Sequence, residues 1–316
     1  MKVLFHYDVG PAFSARIDAL GAQGIEVSSC PQGDDERFRR LLVDVDVLWH
    51  VLQPVRGKHI AGAPRLRLIQ KIGFGVSTID LEAAAAADIA VCNMPGTNSH
   101  AAMEMTLALT LAALRRLPLV DRLTREGAGW SFDPAFQDTF GEIGGRTVGL
   151  IGFGAVPSLL APVLSSLGAR VIYTAPSDKG VPYARVELDE LIASSDIVSL
   201  HIPLTAETAQ LINSERIRQM KPGAVLINTA RGALVDEVAL HAALVEGRLL
   251  AAGLDVLAEE PTPTDNPLLG LDNVVVAPHL AWLTPETFER SIAVAVENVK
   301  RSTPVSCFSI ELRRRR

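Results

Sequence analysis

The chain has 316 residues, 48% of them hydrophobic, 21% charged and only 5% aromatic, with a formal net charge of −6. A length and composition of this kind supply apolar material for two buried cores rather than one. The acidic balance leaves no electrostatic footprint for nucleic acid or an anionic membrane surface. Cys30, Cys92 and Cys307 are odd in number, far apart and without CxxC or metal-ligand spacing, a pattern that points to a reducing cytoplasm and to no bound metal. The opening MKVLFHYDVG lacks the charged and apolar regions of a secretory signal, and the apolar stretch near Ala101 to Leu114 is interrupted by Glu104 and too short for a membrane span. The terminal run Arg313 to Arg316 reads as a solvated tail.

In chain order, Lys2 to Tyr7, Val45 to Val51 and Leu66 to Lys71 are apolar or β-branched runs of strand length, and Ala12 to Gly21 and Leu81 to Ala87 are helical stretches. Alternation of this kind predicts βαβ units on a parallel sheet. NMPGTN, at 93–98, punctuates the chain and marks a candidate domain boundary, after which a long apolar helix is expected over Ser99 to Leu117. A polar connection to about Phe140 leads to a second series of strands: Thr147 to Gly152, Arg170 to Thr174, Ile197 to His201, Ala224 to Thr229, Ala251 to Val256 and Val274 to Ala277. Six such runs separated by helix-length segments suit a doubly wound nucleotide-binding sheet. A last helix, about Pro285 to Ser302, is free to return to the first domain and make it discontinuous.

Thr147 to Pro157 reads TVGLIGFGAVP, a Gly-x-Gly turn directly after an apolar strand and ahead of a helix expected over Leu159 to Leu167. Gly152 permits the tight turn, Gly154 lets the backbone approach a pyrophosphate, and the helix start, with Ala155 and Val156, presents its positive end. Pro157 replaces the third glycine, tolerable where a missing N–H has no partner. Pro162, deeper in the segment, predicts a kinked or shortened helix. Where an NAD-binding chain usually places a carboxylate for the ribose hydroxyl, this chain reads Thr174-Ala175-Pro176-Ser177-Asp178-Lys179. Ser177 and Lys179 suit the 2′-phosphate of NADP, Asp178 suits NAD from a shifted position, and a neutral loop without discrimination stays open.

Reduction of a keto acid needs a cation for the carboxylate, a proton donor for the carbonyl oxygen and a group that keeps that donor protonated. Arg231 follows the strand Ala224 to Thr229, at the carboxyl end where α/β sheets bind ligands, and its planar guanidinium matches a carboxylate with two parallel hydrogen bonds. Glu260 and His279 follow two further strands. A histidine titrates near working pH, and a neighbouring carboxylate favours its charged form.

Seven segments, GFGVSTIDLEAAA, NMPGTN, VGLIGFG, ELIASSDIVSLHIPLTAET, MKPGAVLINTARGALVDE, AAGLDVLAEEPTP and NVVVAPHLAW, resemble the D-isomer-specific 2-hydroxyacid dehydrogenase family between about Leu66 and Asn298. The resemblance implies two Rossmann-like or flavodoxin-like parallel-sheet domains with a cleft between them: a discontinuous substrate-binding domain of residues 1–97 and 284–316 around a dinucleotide-binding domain of residues 98–283. It makes Arg231, Glu260 and His279 the catalytic set, with NAD or NADP as cofactor. The backbone at Gly73, Phe74, Gly75 and Val76 receives the substrate carboxylate together with Arg231. Asp255 holds the nicotinamide carboxamide, and Thr106, His201, Pro203, Thr208, Thr229 and Ala230 line the cofactor along with Arg231 and His279. Ser77 stands where the family more often has Asp. Trp282, in HLAW, resembles the glycerate dehydrogenase and glyoxylate-hydroxypyruvate reductase branch and is assigned to the substrate. The implied activity is hydride transfer between a small 2-keto acid and its D-2-hydroxy acid in a homodimer that is built on the helix after Asn98. Phosphite oxidation and a corepressor-like dinucleotide sensor with little turnover are the alternatives, and the carboxylate at Glu260 argues against the formate dehydrogenases, which resemble this pattern with an amide there.

Overall fold

The computed structural model describes residues 1–131 and 133–302, so Cys307 and the terminal arginine run lie outside the described residues. The chain divides into two compact units, one formed by Met1–Thr97 with the stretch from Thr284 onward, the other by Asn98–Leu283.

The first unit is a parallel sheet of β1 (Lys2–His6), β2 (Glu26–Cys30), β3 (Val47–His50), β4 (Leu68–Lys71) and β5 (Ala90–Cys92), in the order β2-β1-β3-β4-β5. Every residue of β3 and β4 is buried, as expected of parallel strands covered on both faces. On one face Leu4, Leu48 and Ile69 pack with Phe38 and Leu42 of the helix Asp35–Leu42. The other face carries Phe5, whose ring meets Trp49 and Phe288 edge-on. Phe288 belongs to the helix Pro285–Arg301, and Asn298 of that helix donates to Gln70 Oε1 in β4 at 2.6 Å.

The second unit is a sheet of β6 (Thr147–Ile151), β7 (Arg170–Thr174), β8 (Ala184–Arg185), β9 (Ile197–Leu200), β10 (Ala224–Asn228), β11 (Leu249–Leu254) and β12 (Val274–Val276). Its order is β12-β11-β10-β9-β6-β7-β8, again all parallel. Leu200, Leu226 and Leu254 fill one core, while Val148, Val225 and Ile227 face the helices Ser99–Leu114 and Ala155–Ser166 on the other side. The strand order reverses between β6 and β9, and ligands of open α/β sheets bind beyond the carboxyl ends at such a point.

Several elements differ from the sequence expectation, the unexpected strands β2 and β5 among them. The helix begun at Ser99 ends at Leu114, because Arg116 takes a left-handed φ of 51°, and a separate helix Leu117–Arg125 occupies what reads as connection. The second sheet has a seventh strand, the two-residue β8 at its edge. The helix after the glycine turn starts at Ala155, earlier than Leu159. Pro162 neither shortens nor ends it: the proline and Ser158, whose carbonyl loses its helical donor, are both exposed, so water can serve that carbonyl.

His6 ends β1 with 1% of its surface exposed, stacked on Phe38 at 3.9 Å between ring centroids. Burial, with His59 nearby, lowers its pKa from 6.5 to about 4 against the pull of Asp35 and Asp8. The unfolded chain therefore takes up this proton at higher pH than the folded one. Stability is complete above pH 6.5 and declines as pH falls toward about 4, by up to about 3 kcal/mol from this group. Urea unfolding across that range should show the decline, and His6→Phe should flatten it; an unchanged slope would contradict the assignment.

Candidate active site

The functional residues of the second unit gather at the carboxyl ends of its strands. After β6 the chain turns at Gly152, with φ 95°, where a Cβ would stand 2.4 Å from the carbonyl oxygen of His201. Gly152 N–H donates to Thr174 O at 2.9 Å, so this turn lies against the end of β7. Gly154 is the N-cap of the helix Ala155–Ser166 and caps it with no side chain. A Cβ built on Gly154 meets nothing within 4 Å, which leaves open space above the first turn. The amides of Ala155 and Val156 precede the first helical hydrogen bond, Ser158 N–H to Gly154 O, and Pro157 has no N–H to leave unpaired. Two unpaired amides, a positive helix end and a bare backbone fit a pyrophosphate.

Beyond β7, Ala175 is buried and Ser177, Asp178 and Lys179 are exposed. The Asp178 carboxylate is engaged within its own turn, accepting from Tyr173 Oη at 2.8 Å and Gly180 N at 3.1 Å, and these bonds lower its pKa. Beyond β9, His201 Nε2 pairs with Ser199 Oγ at 2.9 Å; burial lowers its pKa to about 3, which keeps the ring neutral. Thr208 Oγ1 donates to Pro203 O at 2.8 Å and accepts from Thr205 N at 2.7 Å, which closes the loop from Pro203 to Thr208.

β10 ends at Asn228, a residue that sequence reasoning passed over. Its side chain accepts from Ala230 N at 3.0 Å and donates to Arg231 O at 2.8 Å, folding the turn that presents Arg231. Thr229 Oγ1 pairs with Thr106 Oγ1 at 2.9 Å. Thr106 itself is wholly buried, and its hydroxyl also bonds to Ala102 O, so it supports Thr229 from beneath rather than lining an open surface. Arg231 Nη1 donates to Ala230 O at 2.5 Å; burial lowers the guanidinium's pKa, opposed by the charge of Glu260. The next residue, Gly232, has no room for a side chain, since a Cβ there would lie 1.9 Å from the carbonyl carbon of Leu257. Gly232 thus seats the Arg231 turn directly on the backbone that leads to Glu260.

Glu260 Oε2 is 2.7 Å from His279 Nδ1, and Glu260 Oε1 accepts from Leu257 N at 3.2 Å. Burial opposes ionisation of Glu260, but the His279 bond and charge, the Leu257 amide and Arg231 prevail and hold its pKa below the usual carboxylate value. His279 has a left-handed φ of 57°, fixed by its N–H to Asp255 O at 2.7 Å. Asp255 is 1% exposed, and its two carboxylate oxygens accept from Leu280 N and Ala281 N at 2.8 and 2.9 Å. Burial raises its pKa against those two bonds. The carboxylate expected to meet the nicotinamide carboxamide also braces the loop that carries His279. Trp282 is 7% exposed and donates from Nε1 to His279 O at 2.9 Å, a brace on the same loop where a substrate contact was expected.

In the first unit, Gly73 has φ 136°, and its carbonyl accepts from Met94 N. Asn93 Nδ2 donates to Phe74 O at 2.9 Å and Ile79 N to Val76 O at 2.9 Å, which fixes the loop through its carbonyls. Among the described residues the amides of Phe74, Gly75 and Val76 have no backbone acceptor, and Phe74 is 56% exposed.

Residues 107–281 match the model for the D-isomer specific 2-hydroxyacid dehydrogenase, NAD binding domain. The chain is 38% identical over 290 residues to D-3-phosphoglycerate dehydrogenase of Mycobacterium tuberculosis, covering 90% of this chain and 54% of that protein, and so spans about half that relative's length. It is 38% identical over 266 residues to glyoxylate reductase of Korarchaeum cryptofilum, covering 81% of this chain and 79% of the reductase. Among solved structures, the TT0316 protein from Thermus thermophilus superposes with a TM-score of 0.87 at 36% identity, over 95% of this chain and 96% of that one. With these matches across both units and an arginine, a glutamate and a histidine at the strand ends, the chain belongs to the D-isomer specific 2-hydroxyacid dehydrogenase family.

Proposed function

We propose that this protein is an NAD(P)-dependent oxidoreductase that interconverts a small 2-keto acid, of the glyoxylate or hydroxypyruvate kind, with its D-2-hydroxy acid. The observation that carries the reading is the 2.7 Å bond between Glu260 Oε2 and His279 Nδ1, a carboxylate–imidazole pair near the half-buried Arg231. A bound nicotinamide supplies or accepts the hydride. Gly152, Gly154, Ala155 and Val156 would hold its pyrophosphate, and His201, Pro203, Thr208, Thr229 and Ala230 would line it. Arg231 receives the substrate carboxylate. Glu260 gives the imidazolium a counter-charge and fixes its Nδ1–H, so that Nε2 carries the proton for the carbonyl oxygen during reduction and takes it back during oxidation. Asp255 and Trp282 act through the backbone of the His279 loop.

Glyoxylate reductase among the relatives supports the substrate class. Transfer of deuterium from C4 of a labelled reduced nicotinamide to C2 of the hydroxy acid tests the reaction directly; an unlabelled product would contradict it. Gly154→Ala tests the cofactor seat. Its methyl has open space in the protein, so melting should be unchanged, while dinucleotide affinity falls about tenfold or more from the lost backbone approach.

The homodimer belongs to the same proposal, supported by Leu111 and Leu117, which are 39% and 49% exposed at the end of the helix Ser99–Leu114 and the start of the next. The reduced, cytoplasmic setting is supported by Cys30 and Cys92, both unpaired. Among the described residues no helix is long and apolar enough to cross a membrane, and no group of three His, Cys, Asp or Glu side chains could hold a metal.

A further inference from the structure

We propose that Glu237 is a positioning residue for Glu260: its carboxylate clamps the loop that carries Glu260 and so keeps the Glu260–His279 bond aligned. The inference rests on the reading above that this pair handles the proton of the carbonyl oxygen. Glu260 stands on an irregular stretch between the end of β11 and the short helical turn Pro267–Gly270, and residues 258–261 of it are exposed. Among the described residues no backbone hydrogen bond joins residues 256–265 to another element. The bonds within the loop, Thr262 Oγ1 to Glu259 O at 3.0 Å and Asn266 N to Pro263 O at 3.1 Å, give it shape but not place.

Glu237 supplies the anchor. Its Oε1 accepts from Ala258 N at 2.6 Å and its Oε2 from Asn266 Nδ2 at 3.2 Å, so one carboxylate ties the loop down on both sides of Glu260. Asn266 is itself fixed, because its Oδ1 accepts from Leu268 N at 3.0 Å. The carboxylate also stands on a rigid base. Glu237 opens the helix Glu237–Val245, whose N-cap Asp236 accepts from Ala239 N at 3.0 Å and donates from its own N–H to Ile212 O at 3.0 Å. Leu240 and Leu244 set that helix into the core.

The same segment presents Arg231. Gly232 packs on the carbonyl of Leu257 and the amide of Ala258, and Glu237, later in that segment, takes the same amide. The Arg231 turn and the Glu260 loop are thereby fastened at one peptide, Leu257–Ala258. A carboxylate in a first helical turn also suits the helix dipole, but a dipole asks only for the charge, whereas the two bonds give this carboxylate a direction. Without the clamp the loop samples positions in which Glu260 Oε2 leaves His279 Nδ1, and the general acid loses its fixed orientation.

The test measures steady-state keto-acid reduction, melting and dinucleotide binding by calorimetry on the intact protein and its variants. Glu237→Ala should lower kcat about tenfold to a hundredfold, as displacement of a catalytic group by about an ångström does. KM for the keto acid should change little, because the loss falls on proton transfer and not on carboxylate binding. Dinucleotide affinity and melting should stay near wild type; the bond from Ala258 N is exposed, so water replaces the lost acceptor without restoring the position. Glu237→Gln keeps an oxygen for Ala258 N and should recover part of the rate. In a Glu260→Ala background, Glu237→Ala should cost nothing further. A wild-type kcat in Glu237→Ala overturns the proposal, as does an equal loss with and without the Glu260 side chain. Should Glu237→Ala melt far below wild type, Asn266→Asp carries the test: it keeps the acceptor for Leu268 N, loses the donor to Glu237 and should lower kcat, and an unchanged kcat overturns the proposal. Wild type that binds dinucleotide but reduces no keto acid overturns the proton-transfer reading and the proposal with it, whereas normal turnover in Glu237→Ala overturns the proposal alone.

Discussion

His279→Ala is expected to lower kcat for keto-acid reduction by about a hundred- to ten-thousand-fold, the usual contribution of a positioned general acid. Dinucleotide affinity should fall far less, because the proposed pyrophosphate seat at Gly152, Gly154, Ala155 and Val156 makes no use of the imidazole. His279 is well placed for this role: Glu260 takes Nδ1, and Asp255 and Trp282 hold the backbone on either side of it. The ring is held at Nδ1 by Glu260, which leaves Nε2 as the nitrogen for the proposed proton transfer. Glu260→Gln should retain the geometry with a neutral acceptor and lose part of the rate, because the imidazolium loses its counter-charge. A His279→Ala enzyme with wild-type turnover would remove the histidine from the mechanism.

The second large effect is expected at a residue that touches neither substrate nor cofactor. Gly232→Ala places a methyl where the carbonyl carbon of Leu257 stands 1.9 Å away, a clash that only backbone movement relieves. Overpacking of this kind costs about 1–3 kcal/mol of stability. The displaced turn also carries Arg231 away from Glu260 and His279, and a shift of about an ångström costs about a hundredfold in kcat/KM. Melting and steady-state kinetics together check this; a variant with normal kcat/KM would show that the contact between Gly232 and Leu257 does not set the site. The contrast with Gly154 is informative. At Gly232 the protein's own backbone demands glycine, whereas at Gly154 the space is open and the demand comes from the proposed dinucleotide.

The parts legible in the sequence are those with local causes. β10 reads AVLIN and is buried throughout; a run of that apolarity can only be a central strand, and whatever follows it lies at the ligand edge of the sheet. Arg231, Glu260 and His279 were found in that way. Strands with weak patterns were not: β2 is half polar, β5 has three residues and β8 two, all at or near sheet edges where one side needs no apolar cover. The break at Arg116 depends on a left-handed residue that is not glycine, and no local signal announces it. Pro162 was read as a helix breaker from its chemistry alone, whereas the face on which it falls decides its cost. Gly232 escaped because it acts on a partner that the fold brings close, the Leu257 backbone, and such proximity is not written in spacing. Asn228 makes a local turn, bonding Ala230 and Arg231 two and three residues on, and that signal was passed over.

The most direct measurement of the central claim follows the absorbance of the reduced nicotinamide with purified protein, both cofactors, and glyoxylate, hydroxypyruvate and pyruvate in one direction and phosphite in the other. Consumption of reduced nicotinamide with a keto acid, lost in Arg231→Ala and His279→Ala, is the predicted result. Dinucleotide binding without turnover of any keto acid, or reduction of the oxidised cofactor by phosphite alone, would contradict it.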